Sequence, residues 1–84
     1  MKYRLLIDSE ALDFVTALGK RDREFLRTRF EEIRDAPVRF SEYRSPDASG
    51  RELDHHLAGR FAITYWDDFA DRHVKIMDVR WADR

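Results

Sequence analysis

The spacing of apolar residues changes from helical to alternating at Ala36-Pro37, and that change restricts the fold more than any other feature. Before it, apolar side chains recur at helical spacing: Ala11, Phe14, Val15 and Leu18, then Leu26, Phe30 and Ile33 with Phe25 alongside. After it they alternate. Phe61, Ile63 and Tyr65 stand against Ala62, Thr64 and Trp66, and Val74 and Ile76 stand against Lys75, Met77 and Val79. Helices gathered in one half and strands in the other predict an α+β domain. A helical hairpin packs on one face of a mainly antiparallel sheet, because each apolar face has to bury against the other.

Local signals set the expected boundaries. Lys2 to Ile7 reads as a first strand. Asp8 or Ser9 is placed to cap a helix, with Glu10 and Asp13 in its first turn, where negative charge suits the helix dipole. Gly19 is the expected stop. A second helix is expected from Asp22 to Asp35, ended by Pro37, and the short junction makes the two an αα-hairpin. Beyond it, Arg39 to Arg44 predicts an edge strand and Ser45 to Gly50 a loop. Arg51 to Leu57 is the next strand, Ala58-Gly59 a tight connection, Arg60 to Trp66 a strand, Asp67 to Arg72 a polar turn, and His73 to Arg80 the last strand. The predicted order is β-α-α-β-β-β, with three or four strands after the hairpin. No linker or repeat interrupts it, so residues 1–84 read as one domain.

Sixteen Lys and Arg against 17 Asp and Glu leave a formal charge of −1, so overall charge does not mark a nucleic-acid binder; local clustering matters more. The absence of cysteine excludes disulfides, thiol catalysis and thiolate metal sites, and agrees with a reducing compartment. No apolar run is long enough to span a bilayer and the first residues lack a signal-peptide layout, so a cytoplasmic protein with no membrane partner is expected.

The element order, in a chain of this length, resembles the RelE/ParE toxin superfamily of type II toxin–antitoxin systems. Three stretches carry the resemblance. Ala36-Pro37 ends the second helix. Leu57-Ala58-Gly59-Arg60-Phe61-Ala62-Ile63-Thr64-Tyr65 is similar to the family's glycine turn, aromatic residue and strand ending in tyrosine. Val74-Lys75-Ile76-Met77-Asp78-Val79-Arg80 is similar to its last core strand. The resemblance implies a RelE/ParE-like fold and a cognate antitoxin that wraps the toxin. It also implies one of two activities. The first is metal-independent cleavage of ribosome-bound mRNA, in which a base takes the proton of the ribose 2′-OH as it attacks the neighbouring phosphate and cationic side chains stabilise the charge. The second is non-catalytic inhibition, as in gyrase-directed members, or a silenced toxin that only binds an antitoxin. No cofactor is implied.

The sequence departs from the ribonuclease pattern. Ala62 stands where an arginine is common, and Glu52, Asp54 and His56 stand where basic residues are common. Trp81-Ala82-Asp83-Arg84 follows Arg80 in place of a basic or histidine-containing segment and a tyrosine. A slip of one residue would instead present Leu53, His55 and Leu57.

His55 and His56 are adjacent, so on a strand they face opposite ways. His56, beside Asp54 or Glu52, has the partner a general base needs; the plainer reading is a surface histidine. His56 and Arg80 are the expected chemical groups. Arg51, Arg60, Lys75 and Arg80 are expected near the face away from the helices, as a basic cluster for RNA phosphates or antitoxin carboxylates, or as ordinary solvated charge. Ala62, Trp66, Met77 and Val79 are expected to face outward beside them as a partner surface, unless Trp81 folds back over them. Asp67, Asp68, Asp71, His73 and Asp78 match no metal-motif spacing, and the first three fit a polar turn, so no metal is expected.

Overall fold

The computed structural model describes residues 3–83. In chain order the elements are β1 (Arg4–Ile7), α1 (Ser9–Thr16), α2 (Lys20–Asp35), a helical turn α3 (Pro37–Phe40), β2 (Tyr43–Pro46), β3 (Glu52–Ala58), β4 (Phe61–Asp68) and β5 (His73–Trp81). The five strands lie in the order β1-β5-β4-β3-β2. β2 to β5 form an antiparallel meander, and β1 closes the far edge by pairing parallel with β5. This is the expected α+β arrangement, with four strands rather than three after the hairpin. Among the described residues no helix is long and apolar enough to cross a membrane.

The helices form for the reasons the sequence gives, with shifted ends. Asp8 is the cap of α1: its side chain accepts from the Glu10 N–H at 3.3 Å. Gly19 is not a helix stop. It is extended (φ −67°, ψ 162°) and caps the start of α2, which therefore begins at Lys20, two residues earlier than expected. Leu26, Phe30 and Ile33 of α2 join Ala11 and Val15 of α1 over Ala58, Phe61, Ile63, Tyr65, Val74, Ile76 and Val79 of the sheet. Side chains of this size each contribute about 1.5–3 kcal/mol on full burial, so this one layer carries the fold.

Three expectations are corrected. Arg39 to Arg44 is not a strand from its start, because Pro37 opens the single helical turn α3, where its missing N–H costs nothing; pairing begins at Tyr43. The Asp67 to Arg72 turn is shorter, since β4 runs on to Asp68 opposite His73 and the chain reverses over residues 69–72, with Arg72 at φ +54°. The third correction concerns phase. Tyr65 pairs with Ile76 but Thr64 pairs with Asp78, so Met77 is an extra residue in β5, a β-bulge. Beyond it the alternation inverts. Val79 pairs with Ile63 and is 3% exposed, in the core rather than on the outer face.

Candidate functional site: the helix-free face of the sheet

With Phe61, Ile63 and Tyr65 buried under the helices, their neighbours Ala62, Thr64 and Trp66 fall on the opposite face. Register then fixes which side chains meet there. Tyr43, His55, Thr64 and Asp78 lie in one row across β2 to β5. Leu57, Ala62 and Arg80 make the next row, and Trp66 lies beside Lys75.

His55 is the best-held group on this face. Its ring stacks on Tyr43, centroids 4.3 Å apart and planes 6° from parallel. Its Nε2 lies 2.7 Å from Ser45 Oγ and its Nδ1 3.2 Å from Thr64 Oγ1. One ring nitrogen of a neutral imidazole donates and the other accepts, and a hydroxyl can do either, so both contacts are satisfied in either tautomer. Arg51 lies over Trp66 at 4.7 Å from the ring centroid, with Nε 2.8 Å from Asp47. Against the push of burial, hydrogen bonds from Ser49 and Arg51 hold the Asp47 carboxyl down at about 2. Lys75 Nζ is 3.9 Å from Asp8, and Arg80 Nε is 2.7 Å from Asp78. Exposed pairs of this kind contribute little and exchange readily for another anion.

Arg51, Ala62, Trp66, Lys75 and Arg80 are thus brought to one face. The other predicted site residues are not. Val79 is in the core, and Met77 occupies the bulge. Arg60 turns back to the helices: its Nη2 is 3.2 Å from Asp22, and its guanidinium lies over Trp81 at 5.1 Å. Trp81 stacks on Phe61, centroids 4.7 Å apart, and so extends the core instead of covering the outer face.

His56 is also on the helix side. It is 8% exposed, accepts from Arg29 Nη1 at 2.7 Å through Nε2, and meets Phe40 edge-on. Asp54 shares that side, accepting from Ser41 Oγ at 2.7 Å and pairing with Arg44 Nε at 3.1 Å. The slipped register is the observed one: Leu53, His55 and Leu57 face outward, while Asp54 and His56 do not. The sequence reading missed His55 as a site residue.

His56 instead marks a pH dependence of folding. Burial, then the adjacent Arg29 charge, hold its imidazole below its ordinary 6.5, with Glu42 opposing. Its folded value is depressed, so the unfolded chain binds the proton more readily. Stability is fully present above about 6.5 and falls as pH drops from there through the folded value. Urea midpoints measured from pH 7.5 to pH 5 should decline for the native protein, and less steeply for His56→Gln. Parallel declines would remove His56 as the cause.

Asp68, Asp71 and His73 bring ligand-type atoms within 4.8 Å of one another. Asp71 Oδ2 is 3.0 Å from both His73 Nδ1 and Arg4 Nη2, so this cluster ties the β4–β5 turn to β1. Asp67 and Asp78 stand apart from it, Asp67 on the helix side and Asp78 beside Arg80.

Neither a protein-family model nor a curated protein sequence matches the chain. Solved structures do. The archaeal RelE–RelB complex from Pyrococcus horikoshii OT3 matches with a TM-score of 0.81 at 18% identity, over 100% of this chain and 99% of that one. The intact RelBE toxin–antitoxin complex of E. coli matches at 0.74 and 23% identity, over 98% and 99%. The RelBE2 complex of Mycobacterium tuberculosis matches at 0.74 and 16%, over 100% and 95%. At these identities the correspondence is one of backbone architecture, and the chain has a RelE-like α+β fold.

Proposed function

We propose that this chain is the toxin of a type II toxin–antitoxin pair, held silent by a protein antitoxin, with the helix-free face of the sheet acting on RNA. The breadth of the likeness supports this most: the structures sharing the fold include a RelE–RelB complex and two RelBE toxin–antitoxin complexes, each matched along nearly the whole matched chain. The make-up of the face adds to it. Tyr43 and Trp66 offer rings to unstacked bases, and Arg51, Lys75 and Arg80 offer charge to phosphates.

In this reading His55 takes the role first given to His56. The ribose 2′-oxygen bonds to the adjacent phosphorus while its proton passes to the His55 ring nitrogen that exchanges its Ser45 or Thr64 contact for the ribose hydroxyl. The bond from phosphorus to the 5′-oxygen breaks, and that oxygen leaves with a proton from solvent, giving a 2′,3′-cyclic phosphate and a 5′-hydroxyl. Lys75 and Arg80 lie two strands across on β5, roughly 10 Å away by strand spacing, where they stabilise the phosphate charge.

One observation favours a second, non-catalytic reading, a ParE-like inhibitor or a silenced toxin that only binds protein. Ala62 sits between Leu57 and Arg80 with no charge to offer, and Arg80 is already paired with Asp78. Expression alone, and with the product of the adjacent reading frame, tests both. The expected result is growth arrest relieved by that product, with cleaved message in ribosome incubations. Arrest with intact RNA selects the second reading. No arrest and no complex with that product would sink both.

A further inference from the structure

Val38 is 83% exposed, Phe69 68% and Tyr43 62%, more than the other exposed large hydrophobics among the described residues. They come from three separate places: α3, the β4–β5 turn and the start of β2. Yet all three line one pocket of about 490 Å³. Scattered singly, exposed apolar side chains need no explanation; gathered around one hollow they mark a contact surface.

The rest of the pocket is acidic. Glu42, Asp54 and Asp67 line it, with Arg44 as its cation. Arg44 is engaged by Asp54, to which Ser41 also donates. Asp67 is not satisfied in the same way. Tyr3 donates to its carboxylate, but Oδ1 is buried with no hydrogen-bond partner. Burial and the neighbouring Asp54 charge push this carboxyl upward, the signature of an anion short of a donor.

We propose that this pocket receives a lysine or arginine side chain of a protein partner, flanked by apolar residues that rest on Val38, Tyr43 and Phe69. A long cationic side chain lays its methylenes along the apolar rim and carries its donors to the acidic wall. Arginine is the better fit, because its weakly hydrated plane also stacks on exposed rings. Such an occupant touches Tyr43, whose ring lies against His55, and so reaches the outer face from its edge. The site does not depend on the toxin reading: the pocket can be filled or empty whether or not the chain arrests growth.

The test is a titration of isotope-labelled protein, followed by amide chemical shifts, with acetyl-Leu-Arg-Phe-amide and separately with acetyl-Leu-Glu-Phe-amide. The arginine peptide should shift Tyr43, Arg44, Asp67 and Phe69 saturably, at a Kd on the order of 1 mM, and the glutamate peptide should not. Asp67→Asn keeps the shape and should weaken binding at least about tenfold, the weight of one charge-assisted hydrogen bond. Phe69→Ser, on the exposed rim, should weaken it without harm to folding. Equal response to both peptides, or no saturable shift up to about 10 mM, overturns the proposal. So does a single-stranded oligonucleotide shifting these same resonances in place of the arginine peptide, since the pocket would then serve nucleic acid.

Discussion

Val79→Asp should unfold this domain, while Met77→Asp should leave it folded. The two residues lie two apart on one strand, and strict alternation would give them the same environment. The bulge at Met77 separates them. Val79 is 3% exposed and pairs with Ile63 beneath the helix layer, among apolar side chains of the core. Burying an unpaired charge there costs about 3–5 kcal/mol or more. Domains have only about 5–15 kcal/mol to lose, and a chain of 84 residues buries too small a share of its surface to sit high in that range. Met77 is the unpaired residue of the bulge and only partly buried, so the same change there should cost about 1 kcal/mol or less. Urea unfolding of both variants decides the matter. If both variants stay folded, strict alternation holds through β5 and Val79 faces outward beside Met77.

That contrast shows where the sequence was sufficient. The helix stripes and the pairing of β3 with β4 were legible, because periodic burial is written directly in residue spacing. The bulge was not: no glycine or proline marks it, and only the fit of β5 against β4 decides where the extra residue goes. The α3 turn was misread because Pro37, rightly seen as ending α2, also starts a new helical turn. The placement of the histidines was legible but overlooked. Gly59 and Arg60 form a two-residue turn, with Gly59 at φ +59° and a hypothetical Cβ there 3.3 Å from the Phe25 ring. That turn pairs Ala58 with Phe61, and stepping back by two pairs His56 with Ile63. Ile63 was already assigned to the core, so His56 had to follow it inward and His55 had to face out. The hairpin's own register, and not the family positions, decides which histidine faces outward.

His55→Ala should lower RNA cleavage by about 10²- to 10⁴-fold, the range typical of removing a general base, and should relieve growth arrest in proportion. The change frees Ser45 and Thr64, two hydroxyls at a partly exposed site, so folding should survive it. The loss should fall on kcat more than on KM, since in the RNA-cleaving reading His55 acts on the proton that moves and the cations hold the phosphate. Arg80→Ala, which removes charge from the phosphate side, should lower both kcat/KM and the dependence of binding on salt. His56→Gln is the control. It alters a buried group held by Arg29 on the other side of the sheet, so any effect on cleavage should follow its effect on stability. Full cleavage by His55→Ala, with loss in a folded His56→Gln, would put the chemistry beneath the helices, where the deep burial of His56 leaves RNA little access. Arrest that persists in both variants with RNA intact would mean that the chain works by holding a protein, and that the outer face serves as a grip.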